Sequence, residues 1–268
     1  MKIGEIYFQS LQILKNTSKV KKKILIFGDS FAEPCFINNK EVDNWVRQAF
    51  DSDLVENNAS GGSSFWRIFD NLHHFEEWRK IKHCIVFWSE HMRIYVRSTN
   101  KFVGGNDETL NKIISDPTPW NIKTKQKHIF GKPIDKVRLV QKNVQQSCEL
   151  GITEREFENL KAYSCLQYMY NVFYKKYPKV NFINIHCFPW LSELTGNFGI
   201  DVNFKSSVNV IHVNGYMTEH FSNLDKKYNH ENHMTGEQHT KFAKFISQIT
   251  NRLEDGGKIT RNPDLRKI

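Results

Sequence analysis

The chain is 268 residues long and carries a formal net charge of +9. Hydrophobic residues make up 39% and charged residues 25%, globular values that exclude a disordered chain. No apolar run approaches the ~18 residues of a membrane span, and the basic balance directs attention to an anionic surface, an acidic glycan or nucleic acid.

Residues 1–22 mix apolar and polar positions and end in a basic run, Lys19 to Lys23, that leads into the domain. Ile24-Leu25-Ile26-Phe27, closed by Gly28, has the pattern of a buried parallel strand. A helix is expected over Glu41–Phe50, a second strand over Asp53–Glu56, and a turn-rich loop over Asn57–Ser64. Phe65–Trp78 reads as a helix with Phe65, Ile68, Phe69, Leu72 and Phe75 on its apolar face, and Cys84–Trp88 as another buried strand. From about Ser98 to Gly151 the periodicity weakens among prolines, a Gly-Gly pair and many lysines, as in a long insertion. Thr153 and Glu156 form a capping-box signature before a helix bearing Phe157, Leu160, Tyr163, Leu166, Tyr170 and Phe173. Val180–Phe188 is a further strand. Thr235 and Gln238 cap a last helix with Phe242, Phe245, Ile246, Ile249 and Leu253 on one face. The tail from Glu254 is polar and expected to be loosely held.

Strands alternating with helices imply an α/β sandwich around a parallel sheet, which binds its ligands at the carboxyl ends of the strands. Three segments fall there or before the last helix. Gly28-Asp29-Ser30 follows the first strand, where a serine presents a hydroxyl and a backbone N–H; a helix-capping serine after a tight turn fits equally. Asn57 to Ser64 offers glycines for close backbone approach, or is an ordinary loop. Asn229 to Thr235 places histidines within reach of the sheet edge, as a base, as surface residues, or as metal ligands with Glu231. No HExxH or CxxC set is present, so no metal or other cofactor is expected.

Together these segments resemble the SGNH (GDSL-type) hydrolase family, over roughly Lys23 to Leu253. Gly28-Asp29-Ser30 matches the first block, Asn57-x-Ala59-x-Gly61-Gly62 is similar to the second, and His233 falls at the histidine of the last. The resemblance implies a three-layer α/β/α sandwich with a mostly parallel, flavodoxin-like sheet. It implies Ser30 as nucleophile, His233 as base, and the Ser30 and Gly62 N–H groups as an oxyanion hole. Two departures stand out. Glu90 occupies the position of the family's oxyanion-hole Asn, with a literal Gly104-Gly105-Asn106-Asp107 match further on, and His230 stands where the last block has its Asp. Asp225 or Glu231 could orient His233, or a Ser–His pair works alone; His230 and Glu90 remain orienting or substrate-site candidates. The expected activity is hydrolysis of small acyl esters, acetyl above all, on a carbohydrate. The alternative is a catalytically weak or inactive binding or structural protein on the same scaffold. Variants of this kind resemble a divergent branch seen in phage and bacteria.

The resemblance favours one domain over residues 1–253, with the basic insertion at about 98–151 and a polar tail at 254–268. Expected partners are an ester-bearing small molecule or glycan, and an acidic glycan or protein at the insertion. Without a helix-turn-helix, zinc-finger or RNP pattern, nucleic acid is not expected. Trp66, Trp88 and Trp190 serve as core or as sugar-stacking faces. Five scattered cysteines and the lack of a secretory signal pattern point to synthesis in a reducing cytoplasm, with virion association or release by lysis as further expectations.

Overall fold

The computed structural model describes residues 23–34, 36–37, 40–41, 43–90, 94–96, 101–103, 154–200, 202, 204–221 and 234–268. Most of the expected insertion, the Thr153 cap and the 222–233 segment lie outside them.

Five strands form a wholly parallel sheet: β1 (Lys23–Phe27), β4 (Val55–Asn57), β5 (Ile81–Trp88), β8 (Asn181–His186) and β9 (Val210–Tyr216). Their spatial order is β4-β1-β5-β8-β9, so the first strand along the chain lies second in the sheet. This is the flavodoxin-like winding, whose switch point falls between β1 and β5. Two short antiparallel pairs stand apart, β2 (Phe36–Ile37) with β3 (Lys40–Glu41), and β6 (Ile94–Val96) with β7 (Lys101–Val103).

Strand side chains alternate between two apolar layers. Leu25, Phe27, Val86, Trp88 and Phe182 meet α2 (Phe65–His74), α3 (Glu154–Tyr168) and α4 (Trp190–Phe198) on one face. Ile24, Ile26, Phe87, Ile185 and Ile211 meet α1 (Trp45–Ala49), α5 (Met217–His220) and α6 (Gly236–Glu254) on the other. The three-layer α/β/α sandwich expected from the sequence is therefore the fold. The Thr235–Gln238 capping box opens α6 as expected, with Phe242, Ile246 and Ile249 buried on its inner face.

Several boundaries differ. The helix expected from Glu41 begins only at Trp45, because Lys40 and Glu41 pair with Ile37 and Phe36, and Asn44 caps Val46 and Arg47 through its side chain. The strand expected at Asp53 starts at Val55, after a 3-10 turn capped by Asp51. α2 ends at His74, and Trp78 opens a separate 3-10 turn that buries its ring. The α3 seam is shifted: Asn159, Ala162, Leu166 and Met169 are buried, whereas Phe157, Leu160 and Tyr163 are half-buried. Lys161 covers the Phe157 and Trp66 rings at 5.3 and 5.5 Å, which shields those aromatics without burying them fully. Beyond Tyr168 the helix widens into a π turn, Met169–Phe173. β9, α4 and α5 had no expected counterpart.

The tail is docked, contrary to expectation. Leu265 is buried beside Val213, Asn262 Nδ2 donates to Phe204 O at 2.8 Å, and Asp264 bridges to Asn214. Of the tryptophans weighed for stacking, Trp88 and Trp190 are core and Trp66 is half-buried. Cys84 and Cys187 are buried free thiols and Cys165 is half-buried. No described helix is long and apolar enough to cross a membrane.

Asn184, fully buried, ties the layers: its Oδ1 accepts from Trp88 Nε1 at 2.9 Å and from the Tyr174 hydroxyl at 2.5 Å. Four imidazoles are also buried, and burial holds that of His83 below the ordinary 6.5 against its hydrogen bond with Glu254. Burial brings His212 and His239 down to about 4 and pushes His186 well below the ordinary 6.5. The unfolded chain takes up these protons near 6.5, whereas the folded chain resists them to about 4, so the stabilisation is complete above 6.5 and is lost as pH falls. The urea midpoint is expected to decline already between pH 6.5 and about 5, before most carboxyl groups titrate. A flat profile in that window would contradict the burial of neutral rings.

Candidate active site

The sheet dictates where the motif residues meet. Gly28 leaves β1 directly over β5: a Cβ there would sit 2.8 Å from Phe87 Cβ and 3.4 Å from Ala32 Cβ. Only glycine permits that approach, which brings Asp29 and Ser30 to the switch point between β1 and β5.

Asp29 shapes the turn that presents Ser30. Its carbonyl accepts from the Ala32 and Glu33 N–H groups at 3.0 and 3.1 Å, and its Oδ1 accepts from Phe31 N–H at 3.1 Å. The Phe31 carbonyl in turn accepts from Trp45 Nε1 at 2.8 Å, so α1 clamps the turn. Three successive N–H groups are thereby consumed. Among the described residues, no hydrogen bond engages the Ser30 N–H or hydroxyl. Ser30 is mostly buried, at 8% exposure.

The loop after β4 lies alongside. Asn58 N–H donates to Ile26 O and Ser60 N–H to Gly28 O, while Asn57 Nδ2 donates to Ala32 O at 2.8 Å. These bonds hold the Asn57–Ser64 loop against the Ser30 turn. Gly62 is left-handed, with φ of +68°, a conformation that disfavours any side chain. Ser64 caps α2, and the Phe65 N–H donates to Glu90 O at 3.0 Å. The loops following β4, β1 and β5 are thus joined in one rim.

The structure brings Ser30, Gly62 and Glu90 to the carboxyl edge of adjoining strands. Glu90, half-buried, follows β5 as the Asn of the resembled motif would. His233, His230, Glu231, Asp225 and the Gly104-Gly105-Asn106-Asp107 segment lie outside the described residues. Met234, the residue after His233, belongs to the same core cluster as Phe31 and Ala32. Among the described residues, no group of three or more His, Cys, Asp or Glu side chains is placed to hold a metal ion.

Three residues here were not singled out from sequence. The Asp29 carboxyl group is 1% exposed; its Oδ2 accepts from Ser89 Oγ at 2.7 Å, and Cys187 Sγ approaches its Oδ1 at 3.6 Å. The Cys187 carbonyl accepts from both Thr218 N–H and Thr218 Oγ1, at 3.0 and 2.8 Å, which anchors the start of α5. A signal existed: Ser89 and Cys187 each stand just past the apolar run of a parallel strand, as Ser30 does.

No family model matches the sequence, and no curated protein matches it. Among solved structures, a Streptococcus pneumonia protein provisionally described as a platelet activating factor is similar at a TM-score of 0.40 and 12% identity, covering 93% of this chain and 100% of its own. The lipase Lip_vut3 from a goat rumen metagenome is similar at a TM-score of 0.38 and 14% identity, covering 88% of this chain and 98% of its own.

Ser89→Ala deprives a buried carboxyl group of a short hydrogen bond. It is expected to lower unfolding stability by about 1–3 kcal/mol, as read from urea denaturation. A variant as stable as the parent would show that this bond does not hold the turn.

Proposed function

We propose that this protein is a serine esterase of the SGNH type that removes small acyl groups, acetyl above all, from a carbohydrate through an acyl-enzyme. The observation that carries the reading is the placement of Ser30. It sits at the switch point of a flavodoxin-like sheet, on a turn whose hydrogen bonds consume the N–H groups of Phe31, Ala32 and Glu33 and leave its own unengaged among the described residues. The left-handed Gly62 on the adjoining loop supplies the second feature of the resembled motif.

In this mechanism the Ser30 hydroxyl attacks the ester carbonyl while His233 takes its proton. The Ser30 and Gly62 N–H groups stabilise the oxyanion. Collapse of the tetrahedral intermediate expels the alcohol, which receives the proton from His233. Water then attacks the acyl-Ser30 ester with His233 again as base, and the second collapse releases the carboxylic acid and restores Ser30. Met234 supports the choice of base, because its burial in the Phe31 cluster anchors the residue that follows His233. His230, Asp225 or Glu231 would orient His233, or the pair acts without an acid, at some loss of rate.

Glu90 favours a second reading. A carboxylate in the place of an oxyanion donor opposes developing negative charge, as in a binding or structural protein built on a hydrolase scaffold.

p-Nitrophenyl acetate turnover and fluorophosphonate labelling separate the two. Both are expected in the parent and absent from Ser30→Ala and His233→Ala; equal turnover in parent and Ser30→Ala removes Ser30 as nucleophile. Restoring the amide donor with Glu90→Asn is expected to raise kcat by about 10²-fold, the worth of one hole donor. An unchanged kcat would place Glu90 outside the hole.

A further inference from the structure

One strand beyond the β1/β5 switch point, a cavity of about 490 Å³ opens at the carboxyl ends of β8 and β9, within the ~300–1,000 Å³ range of small-molecule sites. His186, the last residue of β8, and His212 of β9 line it. Both point away from the Ser30 turn, toward the α4 layer: the neighbouring Cys187 faces Asp29, and His186 faces Trp190 and Phe204.

His186 is 1% exposed, and among the described residues neither ring nitrogen has a hydrogen-bond partner. Its neighbours are rings, with centroids of His212 at 5.2 Å, Trp190 at 6.3 Å and Phe204 at 6.5 Å. An unmet buried polar group costs about 1–3 kcal/mol, a cost that Phe or Leu in this position would avoid. His212 is held differently, through a 3.0 Å hydrogen bond between its Nδ1 and the Tyr170 hydroxyl.

The walls determine what fits. Ser192 Oγ and Thr195 Oγ1 on α4 donate to Pro189 O and Ile200 O at 2.6 and 3.0 Å, so toward the cavity these hydroxyls offer acceptors. Burial keeps both imidazoles uncharged, each with one donor and one acceptor. Among the described residues, the charged groups at the cavity are Glu219 and Arg266. Two of the five Arg266 N–H donors pair with the Asp264 carboxylate, at 2.8 and 2.7 Å, which matches its charge. Among the described residues, an anion would find no cation unmatched by a carboxylate in this lining and would meet Glu219. A ligand with both donors and acceptors and no charge suits it, and the hydroxyl is the group that supplies both.

We propose that this cavity is a second binding site, for a neutral polyhydroxylated molecule of about monosaccharide size, with His186 and His212 contacting its hydroxyls. The site is independent of Ser30 and stands whether or not Ser30 is a nucleophile.

The test is NMR of the full chain with isotope-labelled histidine, titrated with methyl α-glucopyranoside and myo-inositol, and with sodium sulfate as the anionic probe. At least one polyol is expected to shift the His186 and His212 resonances saturably, with a millimolar Kd, and sulfate is not. Gly196 borders the cavity on α4, and a Cβ there meets nothing within 4 Å. Gly196→Phe therefore fills the space without disturbing the fold and is expected to weaken binding about tenfold or more, at an unchanged thermal midpoint. His186→Leu is expected to weaken it similarly, and Ser30→Ala to leave it intact. The proposal is overturned by the absence of a saturable shift up to about 50 mM polyol, by binding that survives in Gly196→Phe, by tighter binding of sulfate, or by loss of binding in Ser30→Ala.

Discussion

The carboxyl group of Asp29 is buried where β1, β5 and β8 end side by side, and a polar group so placed must be met by donors. Ser89 from the end of β5, Cys187 from the end of β8 and the Phe31 N–H of its own turn supply them. This arrangement sets the register in which three strands deliver their loops. It also curls the chain so that the N–H groups of the three residues after Ser30 are occupied. The condition beneath it is steric: Gly28 has no side chain to hold β1 away from Phe87.

The proposed chemistry and the stability of this edge thus draw on the same few residues. The Asn57–Ser64 loop, which carries the left-handed Gly62, is bonded to Gly28 and Ala32, and the Phe65–Glu90 bond closes the rim from the other side. On the opposite face of β8 the polar residues follow another logic. Asn184 is satisfied by Trp88, Tyr174 and Ile211 and acts as a structural tie. His186, two residues on, lines a cavity. The two proposed sites are separated by the alternation of side chains along one strand, at a single edge of the sheet.

Much of this was legible in the sequence where local physics governs. The apolar runs at Ile24–Phe27 and Cys84–Trp88 mark buried parallel strands because both faces of such strands are covered. Thr235 and Gln238 mark the start of α6 because a capping box is satisfied within four residues. β9 was not legible: its residues Val210 to Tyr216 include His212 and Asn214, whose polarity breaks the apolar run and makes sense only against Tyr170 and Asn262. The docking of the tail was hidden for the same reason, since Leu265 and Asn262 find their partners some fifty residues back along the chain.

The sequence by itself determined the class of fold and the order of the motif residues, because strand and helix periodicities and the Gly-Asp-Ser turn depend on near neighbours. Tertiary structure alone decided which side chains meet at the Asp29 carboxyl group beside Ser30 in the chain. Asp29, Ser89 and Cys187 are at most 1% exposed and lie far apart along the chain. They meet only because parallel strands wound in the order β4-β1-β5-β8-β9 end at one edge, where a buried carboxyl group selects the donors that face it.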